Sequence, residues 1–295
     1  MMVFECVACG AALTAPVRQV ALPDHADHEA WDGGGTTSAL LESGTYAAGP
    51  EQIAVAPADV RDLSWIEGRF EGSCCGLAGR RTPNLACACG REVAARVDDC
   101  DRWRVVWLQA GAVRAVGTAE PVAVWETFDW GTVLVDDADL SWHDRVRVSA
   151  GLALAHVLIA SEGAPVAVPD GPVADTFRRH LDELLPPGPP ARTLALAGPD
   201  MPGEADIVLV PRHPQTGEPW PAAGTVVPIS AELWKWLAHE EDHPVIPATG
   251  GRWPYLIEDP LPRRPKRVEL SWWTMRLEVR SLPRVPWLPQ NFYDR

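Results

Sequence analysis

Short segments with a two-residue hydrophobic period dominate the first part of this 295-residue chain. EVAARV, RVVWLQ and AVRAV, between residues 92 and 116, are rich in β-branched side chains and partly alternate in polarity; PVAVW and TVLV continue the series. Runs of this length and period predict strands. Upstream, apolar runs such as LTAPVRQVALP are broken by Gly, Pro, Asp and Ser. Residues 23–52 carry too little regular hydrophobicity to predict an element and read as loop.

A helical period takes over at Ser141. Ser141 with Asp144 three residues later fits a capping box, Leu152, Ala155 and Ile159 share a stripe, and Gly163 supplies the stop. APVAVP then reads as a strand. Asp170 and Pro172 read as the cap and first-turn proline of a second helix carrying Val173, Phe177, Leu181 and Leu184 up to Pro186, and PPGPPA as a stiff connector. TLALAG, ADIVLVPR and TVVPIS predict three more strands, with HPQTGEPW turning between the last two, and a third helix starts beyond Ser230. VELSWWTMRLEVRS alternates apolar and polar residues, but its phase slips between Trp272 and Trp273. A β-bulge there makes it a strand, whereas its Met and Leu favour helix. These elements predict an α+β protein, with an N-terminal β-rich module over residues 1–140 and a C-terminal α/β region over residues 141–295.

Net charge narrows the partners. The chain carries −14, yet residues 260–295 hold eight Arg or Lys against three Asp or Glu, a local +5 that leaves −19 for the rest. Such an acidic body disfavours nucleic acid, whose non-specific binding relies on cationic side chains displacing counterions, and suits a basic protein partner. Fourteen tryptophans, among them Trp103, Trp107, Trp125, Trp130 and Trp142 beside the predicted strands, are expected in the core or at its boundary. Only Lys235 and Lys266 are lysines; neither follows the glycines of a phosphate-cradling loop, which excludes nucleotide hydrolysis by that route. The longest apolar run, Ala150 to Ala160, is interrupted by His156 and falls short of the roughly 18 residues that cross a bilayer. The opening MMVFECVACG lacks the basic residue and long apolar stretch of a secretory signal, which predicts a cytoplasmic protein with reduced thiols.

In a reducing compartment, clustered cysteines favour metal over disulfide. FECVACG spaces Cys6 and Cys9 as C-x2-C before a glycine, and LACACG spaces Cys87 and Cys89 as C-x-C before another. Each tight turn aims two thiolates at one point, the glycine easing the turn so that backbone amides can donate to sulfur. Two such turns complete a tetrahedral shell, and the pairs resemble the knuckles of the zinc-ribbon family, in which two β-hairpins clamp a structural Zn2+. The resemblance implies a ligand set of Cys6, Cys9, Cys87 and Cys89. The second knuckle is one residue shorter than the family's usual pair, and the stretch between the knuckles is long for a ribbon. Two other sets use the same thiols: Cys75 and Cys100 with Cys87 and Cys89, and His25 and His28 with Cys6 and Cys9. Cys74 and Cys75 lack a cationic neighbour to activate them, and Asp98, Asp99 and Asp101 oppose a thiolate at Cys100.

AHEEDHPV matches H-E-x-x-H at His239, Glu240 and His243, the zincin signature for a zinc-dependent hydrolase. The helix that would carry it buries Leu233, Trp236 and Leu237 and leaves both histidines on the side of Glu232 and Lys235, and Pro244 disfavours helix at His243. A third ligand would have to come from a residue such as Glu258. The expected function is a structural-zinc binding or regulatory module with a protein partner, and a hydrolase built on that motif is the alternative.

Overall fold

The computed structural model describes residues 1–28, 38–69, 77, 79, 82–100, 102–125, 143–240 and 268–293. The fold is mixed α+β, and the chain divides into two units: Met1–Phe128 with His213–Glu218, and Asp129–Arg212 with Pro219–Arg295.

The first unit is built from strands. β1 (Met2–Cys6) pairs antiparallel with β9 (Val113–Gly117), Phe4 opposite Ala115. The other seven are β2 (Arg18–Gln19), β3 (Thr45–Ala48), β4 (Gln52–Val55), β5 (Leu63–Trp65), β6 (Leu85–Cys87), β7 (Glu92–Val97) and β8 (Val105–Gln109). They form one sheet in the order β2-β3-β4-β8-β7-β6-β5, antiparallel except for β2 against β3. β8 lies in the middle, and its VVWL is buried throughout, as expected of a strand covered on both faces. Phe4, Leu13, Tyr46, Val55, Leu85, Val93, Val106 and Leu108 make the core, and Cys6 and Cys87 belong to the same cluster.

Two expectations for this unit change. Residues 23–52 are not all loop: Asp24–Asp27 is a 3-10 turn, and β3 and the start of β4 form a hairpin closed by Gly49, whose N–H donates to the Gln52 carbonyl. Strands of four residues are too short to show a period. PVAVW is not a strand; the Ala123 N–H donates to Gln215 Oε1, and Val122 and Val124 are exposed. TVLV lies outside the described residues.

The second unit holds a parallel sheet, β10 (Val166–Ala167), β11 (Arg192–Leu196), β12 (Ile207–Pro211) and β13 (Thr225–Ile229), in sequential order. Along β12, Ile207 and Leu209 join the large cluster around Phe177, Trp234 and Trp236, while Val208 and Val210 pack with Ala197 and Trp220, so alternate residues serve opposite faces. α1 (Asp144–Ala160) begins after His143, whose Nδ1 accepts from the Arg145 N–H; Ser141 lies outside the described residues. The expected stripe is wider than Leu152, Ala155 and Ile159: α1 is buried nearly all round, against β13 on one side and α4 (Trp272–Ser281) on the other. The second helix runs as a π-helical stretch, Ala174–Arg178, into α2 (Arg179–Leu184), with Asp170 accepting from Arg178. α3 (Ala231–Ala238) starts at Ser230, whose Oγ accepts from the Leu233 N–H.

α4 replaces the bulged strand read from VELSWWTMRLEVRS. Ser271 Oγ accepts from the Thr274 N–H, and Met275 and Val279, four apart, are fully buried, whereas Trp272 and Trp273 are exposed. A cap and a four-residue period outweigh the apparent alternation. No described helix is long and apolar enough to cross a membrane.

Gly151 of α1 marks the close approach of α4, since a Cβ there would lie 2.4 Å from the Ser271 carbonyl oxygen. In an unencumbered helix Gly→Ala stabilises by about 0.5–1 kcal/mol. Overpacking against backbone costs about 1–3 kcal/mol, so Gly151→Ala should destabilise, read as a lower urea midpoint; a higher one would contradict this packing.

Candidate metal centre

Both cysteine pairs sit at hairpin ends. Cys6 is the last residue of β1; its N–H donates to the Ala11 carbonyl, and its own carbonyl accepts from the Gly10 N–H at 2.9 Å. Cys87 is the last residue of β6; its N–H donates to the Arg91 carbonyl, and its carbonyl accepts from the Gly90 N–H at 2.8 Å. The second loop closes one residue sooner, which accommodates C-x-C where the first has C-x2-C. Gly10 and Gly90 have φ of 76° and 86°, left-handed backbone that explains a glycine after each pair. Register slips between Leu85 and Ala86, an irregularity immediately before Cys87 that re-aims the end of β6.

The hairpins bring four sulfurs together. Cys6, Cys9, Cys87 and Cys89 place their Sγ atoms within 4.8 Å of one another, the only such set of His, Cys, Asp and Glu found among the described residues. Cys9 Sγ lies 3.5 Å from Cys87 Sγ and Cys6 Sγ 3.8 Å from Cys89 Sγ. A tetrahedron with metal–sulfur bonds of about 2.3 Å has sulfur–sulfur edges of about 3.8 Å, so the donor set fits a small thiophilic cation. Cys6 and Cys87 are buried, Cys9 and Cys89 are exposed, and none of the four is in a disulfide.

The two buried thiols are held differently. Burial raises the Cys6 pKa, but the amides of Ala8 and Cys9 and the Cys89 and Cys9 thiols oppose it and leave it lowered to about 7. At Cys87 burial raises the pKa and only the Cys89 amide opposes; with the three neighbouring thiols adding to the rise, it is pushed up to about 12. The first knuckle is anchored to its surroundings: the Val7 N–H donates to the Ala112 carbonyl, and Arg114 of β9 pairs with Glu5 of β1 at 2.7 Å. Cysteine spacing gave no sign of these two contacts.

The competing ligand sets are not assembled. His25 is buried against Trp103, ring centroids 4.7 Å apart, and neither His25 nor His28 joins the sulfur cluster. Cys100 also lies outside it, with its N–H donating to Asp99 Oδ1, and Cys74 and Cys75 fall outside the described residues. Of the zincin-like motif, His239 follows directly on the last residue of α3, Ala238. His239 is its C-cap with φ −125°, packed edge-on to Trp234, and Glu240 is exposed. His243 and Glu258 lie outside the described residues. No protein-family model, curated protein or solved structure matches the chain.

Nothing lies within 4 Å of a Cβ built on Gly90, so an alanine there meets only its own backbone. Gly90→Ala should cost about 1–2 kcal/mol for left-handed backbone, and Gly90→Asn, which tolerates that region, should recover part of it. Equal stability of the three proteins in chemical denaturation would contradict the turn geometry.

Proposed function

We propose that the chain is a structural-zinc protein, with one Zn2+ held by Cys6, Cys9, Cys87 and Cys89, that acts as a binding or regulatory module for a basic protein partner in the cytoplasm. The carrying observation is the approach of four thiols from two separate hairpins to within 4.8 Å. The role is mechanical. The sulfurs of Cys9 and Cys87 are 78 residues apart in sequence, and by the chain-entropy argument for a cross-link a loop of that size contributes about 4.5 kcal/mol. Four thiolate ligands leave no open coordination position for substrate, which separates this site from a catalytic one. The partner is argued from the net charge of −14 and from exposed Trp65, Trp272 and Trp273, side chains of the kind that anchor protein interfaces. The proposed division of labour assigns the metal to residues 1–140 and leaves residues 141–295 as the α/β body.

Elemental analysis of protein purified without added metal should find one zinc per chain, lost in Cys6→Ser and in Cys87→Ser and kept in Cys100→Ser. A metal-free wild type, or zinc kept in both knuckle variants, would overturn the reading. For the partner, cross-linking in the native host should recover a basic protein whose binding weakens with added salt; a salt-insensitive or acidic partner would count against it.

Acidification should weaken zinc binding. Cys87, pushed up to about 12, keeps its proton throughout the neutral range, and Cys6, lowered to about 7, gains one as pH falls through that value. Metal must displace these protons, so affinity should fall at least about tenfold per pH unit between about pH 8 and pH 6. Competition with a chromogenic chelator checks this, and a flat profile would exclude thiolate ligation.

A further inference from the structure

We propose that Cys9 and Cys87 are a modification site for hydroperoxides, forming a disulfide between the two hairpins that displaces the metal while keeping the hairpins tied, with Cys6 and Cys89 as the second pair. Metal release rests on the zinc reading above; the pairing rests on sulfur geometry alone. The exposed thiols are Cys9 and Cys89, whereas Cys6 and Cys87 are 0% and 1% exposed, so an oxidant from solvent meets one outer sulfur of either hairpin first. Two close thiol–thiol contacts cross between hairpins, Cys9 to Cys87 at 3.5 Å and Cys6 to Cys89 at 3.8 Å, within a cluster whose sulfurs all lie within 4.8 Å of one another. Each exposed sulfur therefore has against it a buried sulfur from the other hairpin.

The chemistry balances with a hydroperoxide as the sole oxidant. The Cys9 thiolate attacks a peroxide oxygen, an S–O bond forms, the O–O bond breaks, and the departing hydroxide or alkoxide takes a proton from water. The Cys87 sulfur then attacks the sulfenic sulfur, the S–S bond forms, the S–O bond breaks, and the leaving hydroxide takes the Cys87 proton and departs as water. Each sulfur gives up one electron and the peroxide gains two. With two ligands consumed the ion is released, and a second turn joins Cys6 to Cys89. The hairpins end joined at the same point, now covalently, and a dithiol reductant reverses both bonds.

The test uses the full chain with its zinc content measured beforehand. Stepwise hydrogen peroxide should release that zinc to a chromogenic chelator. Non-reducing mass spectrometry should find the tryptic peptide of Cys6 and Cys9 linked to that of Cys87 and Cys89, and dithiothreitol should undo the link and restore zinc binding. The double variant Cys6→Ser with Cys89→Ser should still link Cys9 to Cys87. Zinc retained under excess peroxide, bridges confined to one hairpin, or bridges between molecules would each overturn the proposal, and the wild-type map decides even if the double variant does not fold. Protein that carries no zinc at the outset overturns the metal reading alone, because the disulfide map still decides the pairing.

Discussion

Four sulfur atoms within 4.8 Å of one another are an electrostatic problem as well as a geometric one. Like charges that close cannot all ionise without a counter-charge, and burial sharpens the conflict. The chain meets part of it with amides: the turn after Cys6 directs the Ala8 and Cys9 N–H groups at sulfur, and the turn after Cys87 directs the Cys89 N–H. A bound cation would meet the remainder, and its binding would be coupled to the hairpin geometry that collects the thiols.

That coupling is tight because site and core share residues. Cys6 and Cys87 pack in the same cluster as Phe4, Leu85 and Val93, and each terminates a strand of the first unit. β1 belongs to the two-stranded sheet and β6 to the seven-stranded one, so the sulfurs join two sheets that share no strand ladder. A cross-link there would add to the isolated bridges Met2–Val17 and Thr14–Val60 and to the shared core that already tie these segments. The second unit solves a different problem, burying a parallel sheet by covering β12 on both faces and enclosing α1 almost completely. Its close contacts are between backbones and rings: Gly151 lets Ser271 approach, and Gly198 makes room for Trp234, whose indole N–H donates to the Ala197 carbonyl.

The exposed outer thiols give the proposed metal site two properties at once. Cys9 and Cys89 at the surface leave the cluster open to exchange and oxidation, while Cys6 and Cys87 hold it to the core.

Much of this was legible in the chain itself. Paired cysteines each followed by glycine identify the turns, because only a residue free of a Cβ takes left-handed backbone there without cost. The parallel strands of the second unit and the start of α3 follow from uninterrupted apolar runs and from a capping serine, both local signals. Local signals also misled: α4 shows alternation over its tryptophans, although the cap at Ser271 decides its structure, and β3 is too short to have a period. Which thiols meet was beyond any local reading. Cys87 and Cys89 had open partners in Cys75 with Cys100 as well as in Cys6 with Cys9, and the choice depends on β1 pairing with β9 and β6 with β7, contacts between residues far apart in the chain. Spacing determines that two sulfurs share a turn; only tertiary packing brings two turns to one point.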